Sequence, residues 1–305
     1  MSTRKVTAKA RPTQPDDVAV RRVDASASAA PVVEGGRGRP GPLAGVTWFE
    51  RAYFLAVGAL AAAVGVPTYF VPANAAKVLP FAVPPLHARL IGAMYLSGLA
   101  LMLGATFARR WSDVRLVPAI TAIWTGGLLV VTLLHLEAFD FATTQTQIWF
   151  WAYVAYPLIG IWLLVRRRHV RGVAAVDRRL PTGGRRWLAG QGVVLSALGA
   201  ALLVAPATIA EGWPWPVTPL LAQIYSAPLL AYGIGSLLLS RCPTWRETRI
   251  GVVGIGLFAL LALIGSVIHR ELFASGDPAA WAWFALLAAM TAGALAMMLL
   301  PRSPG

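Results

Sequence analysis

The sequence predicts an all-α integral membrane protein: eight transmembrane helices, built as two tandem four-helix repeats in parallel orientation, behind a disordered N-terminal cytoplasmic tail. Three observations predict it. Hydrophobic residues make up 57% of the chain and charged residues 13%, with a mean hydropathy of +0.63, far outside the range of soluble domains. Eight apolar runs approach the roughly 20 residues that a helix needs to cross a hydrocarbon core about 30 Å thick. Finally, residues 51–164 can be laid over residues 185–298 at a constant offset of 134 without a gap.

Rare residues carry that register. Pro72, Pro80 and Pro85 meet Pro206, Pro214 and Pro219, and Trp111 and Arg115 meet Trp245 and Arg249. His135, Glu137 and Phe139 meet His269, Glu271 and Phe273, and Trp149 and Phe150 meet Trp283 and Phe284. Shared hydrophobic composition does not place Trp, His and Pro in step over so many columns, so the repeat organises the reading.

In chain order, residues 1–47 are rich in Ala, Pro, Gly, Ser and charge and form a basic tail with too little apolar surface to offset the entropy of ordering. The first apolar run starts only near Ala52, too deep and too long for a cleaved secretory signal. Spans at 52–71, 88–107, 115–135 and 147–165 make up the first repeat, residues 51–166. A basic cytoplasmic linker, 167–184, leads to spans at 187–206, 220–240, 249–269 and 280–300 in the second repeat, residues 185–301. Continuous rather than alternating runs favour helices, which satisfy their own backbone in lipid. Gly58 and Gly65 match Gly192 and Gly199, each pair two turns apart on one face, a spacing suited to close helix packing.

The net charge of +14 is an orientation signal. Arg109, Arg110 and Arg115 flank the second connection, eight arginines from Arg166 to Arg186 crowd the fourth, and Arg241, Arg246 and Arg249 flank the sixth. The positive-inside rule puts these connections and both termini in the cytoplasm. Four spans per repeat is an even number, so both copies insert the same way round. No basic face interleaved with aromatics points to nucleic acid. High Ala and Arg usage suggests a bacterium with a GC-rich genome, hence its cytoplasmic membrane. The single cysteine, Cys242, excludes an intramolecular disulfide and reads as a reduced, inert thiol.

No Asp, Glu, Lys or Arg lies near the middle of a span, which disfavours an ion-coupled pump. The titratable groups gather at the outer face: His87 and Arg89 open the second span, His135, Glu137 and Asp140 follow the third, and His269 and Glu271 follow the seventh. Histidine suits proton transfer near neutral pH and arginine suits anionic head groups, so these residues form a candidate outer site. The bland alternative has each His at a helix C-terminus, favoured by the macrodipole, and Glu137 paired with Arg89. On a continuous helix His135 and Glu137 would point about 200° apart, so no metal site is expected; no cofactor motif is present either. Trp149 and Trp283 read as members of the interfacial aromatic belt.

Three functions fit. The first is binding or transport of a small amphiphile or lipid through an outward-facing site. The second is a membrane-embedded enzyme acting on a lipid or isoprenoid by His/Glu proton transfer. The third is a non-catalytic assembly subunit.

Overall fold

The computed structural model describes residues 44–170 and 178–299. Most of the predicted tail, the middle of the predicted linker and the last residues of the chain lie outside the described residues. The helices are α1 (Trp48–Phe70), α2 (Pro85–Thr106), α3 (Val117–Leu134), α4 (Thr144–Arg166), α5 (Thr182–Val204), the six-residue α6 (Pro206–Glu211), α7 (Pro219–Ser240), α8 (Trp245–Ile268) and α9 (Pro278–Leu299). Eight of them, all but α6, are long and apolar enough to cross a bilayer among the described residues.

Most helices begin before their apolar runs: α1 at Trp48 rather than 52, α5 at Thr182 rather than 187, α8 at Trp245 rather than 249. Polar first turns extend them. Thr47 and Glu50 form a reciprocal capping box at the start of α1, and Pro85 and Pro219 take the first turns of α2 and α7, where a missing N–H costs nothing. α3 starts later, at Val117 rather than 115, because Trp111–Asp113 form a 3-10 turn. Residues 44–47, assigned by sequence to the tail, are held in place. Gly45 forms an antiparallel bridge with Arg110, and the Trp111 N–H donates to the Ala44 carbonyl at 2.9 Å.

α2, α3, α7 and α8 form an inner group. α2 packs on α8 and α7 on α3, while α1, α4, α5 and α9 cover them from outside against α2, α3, α7 and α8 respectively. Trp124, Tyr232 and Phe258 fill the centre, with ring centroids 5.6 and 5.5 Å apart in sequence. In lipid such packing, rather than exclusion of water, holds helices together. Gly58 and Gly65 face α2, where an added Cβ would lie 3.1 Å from Met102 Cβ and 3.0 Å from Leu96 N; Gly192 and Gly199 face α7, 2.8 Å from Leu237 Cγ and 2.9 Å from Leu230 N. The tightest of the α1–α2 contacts lies at Gly92, 2.6 Å from Tyr69 N.

One end of the bundle, the basic end, is tied by ion pairs that the sequence reading did not single out. Arg167 Nε meets Glu50 Oε1 at 2.7 Å, Arg115 Nη2 meets Glu247 Oε2 at 2.7 Å, and Arg246 Nη2 meets Asp113 Oδ2 at 2.9 Å. All three carboxylates are buried. The last two pairs run between the halves of the chain, and Asp113 and Glu247 are themselves 134 residues apart. Cys242 lies behind Arg115, and burial pushes its thiol up to about 11 although Arg115 opposes the shift. Cys242 is therefore expected to resist maleimide at pH 7 to 8 in the folded protein and to react fully once unfolded, measured by mass shift; rapid labelling of the folded chain would contradict its burial.

Candidate functional site

Three of the four histidines, His87, His135 and His269, lie at the opposite end, and there the chain unwinds. His135 caps α3 and His269 caps α8, each followed by a 3-10 turn, Leu136–Ala138 and Arg270–Leu272. Leaving the helix brings each imidazole beside the carboxylate two residues on. His135 Nδ1 lies 3.7 Å from Glu137 Oε1, and His269 Nδ1 lies 3.4 Å from Glu271 Oε1. Both carboxylates remain exposed.

Arg89 does not meet Glu137. Its Nε–H donates to His269 Nε2 at 3.2 Å and its Nη1 donates to the Tyr69 carbonyl at 2.6 Å. Arginine only donates, so His269 accepts at Nε2 and carries its proton on Nδ1, facing Glu271. Gln223, 134 residues after Arg89, makes the corresponding contacts, with the one to histidine reversed. Its Nε2 donates to the Leu203 carbonyl at 2.8 Å, and its Oε1 accepts from His135 Nε2. The Arg/Gln difference thus gives two similarly placed histidines opposite tautomers. The outer residues that the sequence groups as one candidate site thus contribute to two polar clusters, Arg89–His269–Glu271 and Gln223–His135–Glu137.

His87 belongs to neither. It is buried, its ring stacked 5.8 Å from Tyr225. Its Nε2–H donates to the Pro216 carbonyl at 3.0 Å, and its Nδ1 accepts the Tyr225 hydroxyl at 2.5 Å. Both nitrogens are satisfied, so His87 ties α2 to the loop before α7. Asp140 is exposed and accepts the Ala142 N–H at 3.0 Å. Among the described residues no group of three or more His, Cys, Asp or Glu gathers to hold a metal ion. Trp149 and Trp283 are buried rather than interfacial: their indole N–H groups donate to Thr132 Oγ1 and Ser266 Oγ, each at 2.9 Å. A belt residue keeps its N–H for the wet interface, whereas these two are anchored inside.

The sequence reading missed a cleft inside the first half. α1 barely touches α4, and α2 barely touches α3, which leaves two adjoining recesses. The inner one, lined by Val57, Gly98, Trp124, Thr125 and Tyr156 among others, has a volume of about 50 Å³. The outer one, with a volume of about 170 Å³, is bordered by Ala63, Lys77, Gln145 and Trp149. Leu60, Tyr95 and Tyr153 line both. The hydroxyls of Tyr95 and Tyr153 bond to each other across this waist. Asp140 lies beside the mouth, in a surface hollow that also contains Gln145. The space between these tyrosines cannot be read from the sequence.

No protein-family model matches the chain, and no curated protein or solved structure matches it. Function therefore rests on the geometry.

Proposed function

We propose that this polytopic membrane protein binds a small amphiphile or lipid in the first-half cleft and exchanges it through a mouth at the histidine end. The cleft itself carries the reading. Its apolar walls with a few converging polar groups are what ligand sites share. Absence of charge deep in the described spans favours facilitated movement over ion coupling.

The same proposal takes the halves as tandem repeats in parallel orientation, the basic end in the cytoplasm with both termini, and the membrane as a bacterial inner membrane. Several bonds that recur at the offset of 134 support the duplication. Trp149 to Thr132 corresponds to Trp283 to Ser266, Arg51 to the Thr106 carbonyl corresponds to Arg185 to the Ser240 carbonyl, and the Gly45–Arg110 bridge corresponds to Arg179–Thr244. Arginine enrichment at the basic end supports the orientation. In this reading Arg89, His135, His269 and their carboxylates latch the halves together around the outer end.

A second reading, a membrane-embedded enzyme using His/Glu proton transfer on a lipid or isoprenoid, draws on the exposed Glu137 and Glu271 beside His135 and His269. Binding is preferred because tyrosines, not these groups, line the cleft.

The test is native mass spectrometry of the purified protein with lipid identification. Ala63 lines the outer recess, and Ala197, 134 residues on, serves as its control. Wild type and Ala197→Trp are expected to retain one selective amphiphile that Ala63→Trp loses at least tenfold. An unselective lipid profile, the same in all three, would discard the binding reading.

A further inference from the structure

We infer that the occupant of the cleft is a single-chain amphiphile with a carboxylate head, its charge held by Lys77 and its tail laid past the Tyr95–Tyr153 waist. This rests on the cleft being the binding site and specifies what enters it.

The mouth sets the head group. Lys77 ends the 3-10 segment Pro72–Lys77, is exposed, and is the charged residue among those lining the outer recess. Gln145 Nε2 donates to the Lys77 carbonyl at 3.4 Å, so the start of α4 and this loop are joined at the rim. Among the described residues no carboxylate pairs with the Lys77 ammonium. A lone ammonium flanked by a neutral amide offers one positive charge and several N–H donors at the level of the membrane surface. One positive charge balances the single negative charge of a carboxylate, whereas a phosphate monoester carries about −1.5 to −2.

The depth sets the tail. From Gln145 to Tyr156 the cleft follows α4 for about 16 Å at 1.5 Å per residue, roughly half of a 30 Å hydrocarbon core. One chain from one leaflet fits that reach. At the waist the two tyrosine hydroxyls satisfy each other, so a plain hydrocarbon can lie against them without leaving a polar group unpaired in an apolar setting.

The second half shows that these residues are not demands of the fold. At the offset of 134, Lys77 becomes Glu211, Gln145 becomes Ala279, Tyr95 and Tyr153 become Leu229 and Leu287, and Gly98 becomes Tyr232. The Tyr232 ring packs on Phe258, whereas Gly98 leaves the matching space beside Trp124 open. The related half thus folds with its charge reversed at the corresponding loop and with no tyrosine pair, so both features belong to what the first cleft binds.

The experiment titrates full-length protein with palmitate and with hexadecanol, which share a chain and differ in the head, and reads occupancy by native mass spectrometry. Wild type is expected to fill with palmitate at concentrations at least tenfold below those needed for hexadecanol. Lys77→Gln should erase that preference by weakening palmitate alone, Lys77→Arg should keep it, and Ala63→Trp should lose both probes. Lys77 is exposed, so its variants test the head group without disturbing the core; thermal unfolding matching wild type verifies this. Equal binding of the two probes by wild type, or a preference that survives Lys77→Gln, overturns the carboxylate assignment while leaving the cleft as a site. Binding of both probes undiminished in Ala63→Trp overturns the cleft reading itself.

Discussion

Replacing Arg167 by alanine is expected to destabilise the bundle by about 3–5 kcal/mol, the usual cost of leaving one partner of a buried ion pair uncompensated. Glu50 is 1% exposed, and its carboxylate has two duties. Oε2 accepts the Thr47 N–H at 2.7 Å to close the capping box, and Oε1 accepts Arg167 Nε at 2.7 Å. Arg167 also lies 5.5 Å over the Trp111 ring and donates to the Gly45 carbonyl at 3.4 Å. One guanidinium therefore joins the end of α4 to the start of α1 and to the segment preceding it. Arg167→Lys should recover part of the loss, since charge returns but the planar fork does not. Arg167→Leu combined with Glu50→Gln should recover more, because no buried charge is then left alone. Unfolding in mixed detergent micelles at increasing SDS measures all three; a loss below about 1 kcal/mol for Arg167→Ala would place this pair among weak surface bridges.

Gly92→Ala is expected to cost about 3 kcal/mol, the upper part of the range for overpacking. The added methyl would lie 2.6 Å from Tyr69 N and 2.8 Å from Tyr69 Cα. These are backbone atoms, so no rotamer change relieves the clash and α1 must move away from α2. The disturbance should extend further than the seam. Tyr69 gives its carbonyl to Arg89 and its hydroxyl to the Leu261 carbonyl at 3.0 Å, so displacing it also loosens the Arg89–His269 cluster. Gly190→Ala is the control: nothing lies within 4 Å of its added Cβ, and alanine there should be neutral or stabilising through helix propensity of up to about 1 kcal/mol. Similar stability for Gly92→Ala and Gly190→Ala in the same SDS titration would contradict the close approach.

The eight spans were legible because hydropathy and length answer directly to the bilayer. Their starts were not, since Thr47, Glu50 and the arginines of α5 extend helices beyond the apolar runs that reveal them. The polar residues at the histidine end read as one group, with a pair between Arg89 and Glu137 as the alternative. Arg89 and Glu137 share the first half of the chain, yet Arg89 finds His269 and His135 finds Gln223. An offset of 134 marks which positions correspond without saying whether partners lie within one half or across both. Trp149 shows a different limit. Its place at a helix start suggests the interface, and only the nearby Thr132 hydroxyl, one packed helix away, explains why it turns inward. The cleft was invisible for a third reason: an empty volume is a relation among four helices, set by choices such as Gly98 in place of a tyrosine, and no single residue announces it.

The pairing of α2 with α8 and of α7 with α3 bears on how the protein is made. Spans enter the bilayer in order of synthesis, and the first four arrive before the helices that α2 and α3 need as neighbours. Until α7 and α8 follow, Asp113 and Arg115 wait at the membrane surface without Arg246 and Glu247, and Arg89 waits without His269. The nascent first half is thus an unfinished intermediate, dependent on water, lipid head groups or an insertion chaperone for those contacts. Cutting the gene in the fourth connection should yield two fragments that are degraded when made alone and recovered as a complex when made together.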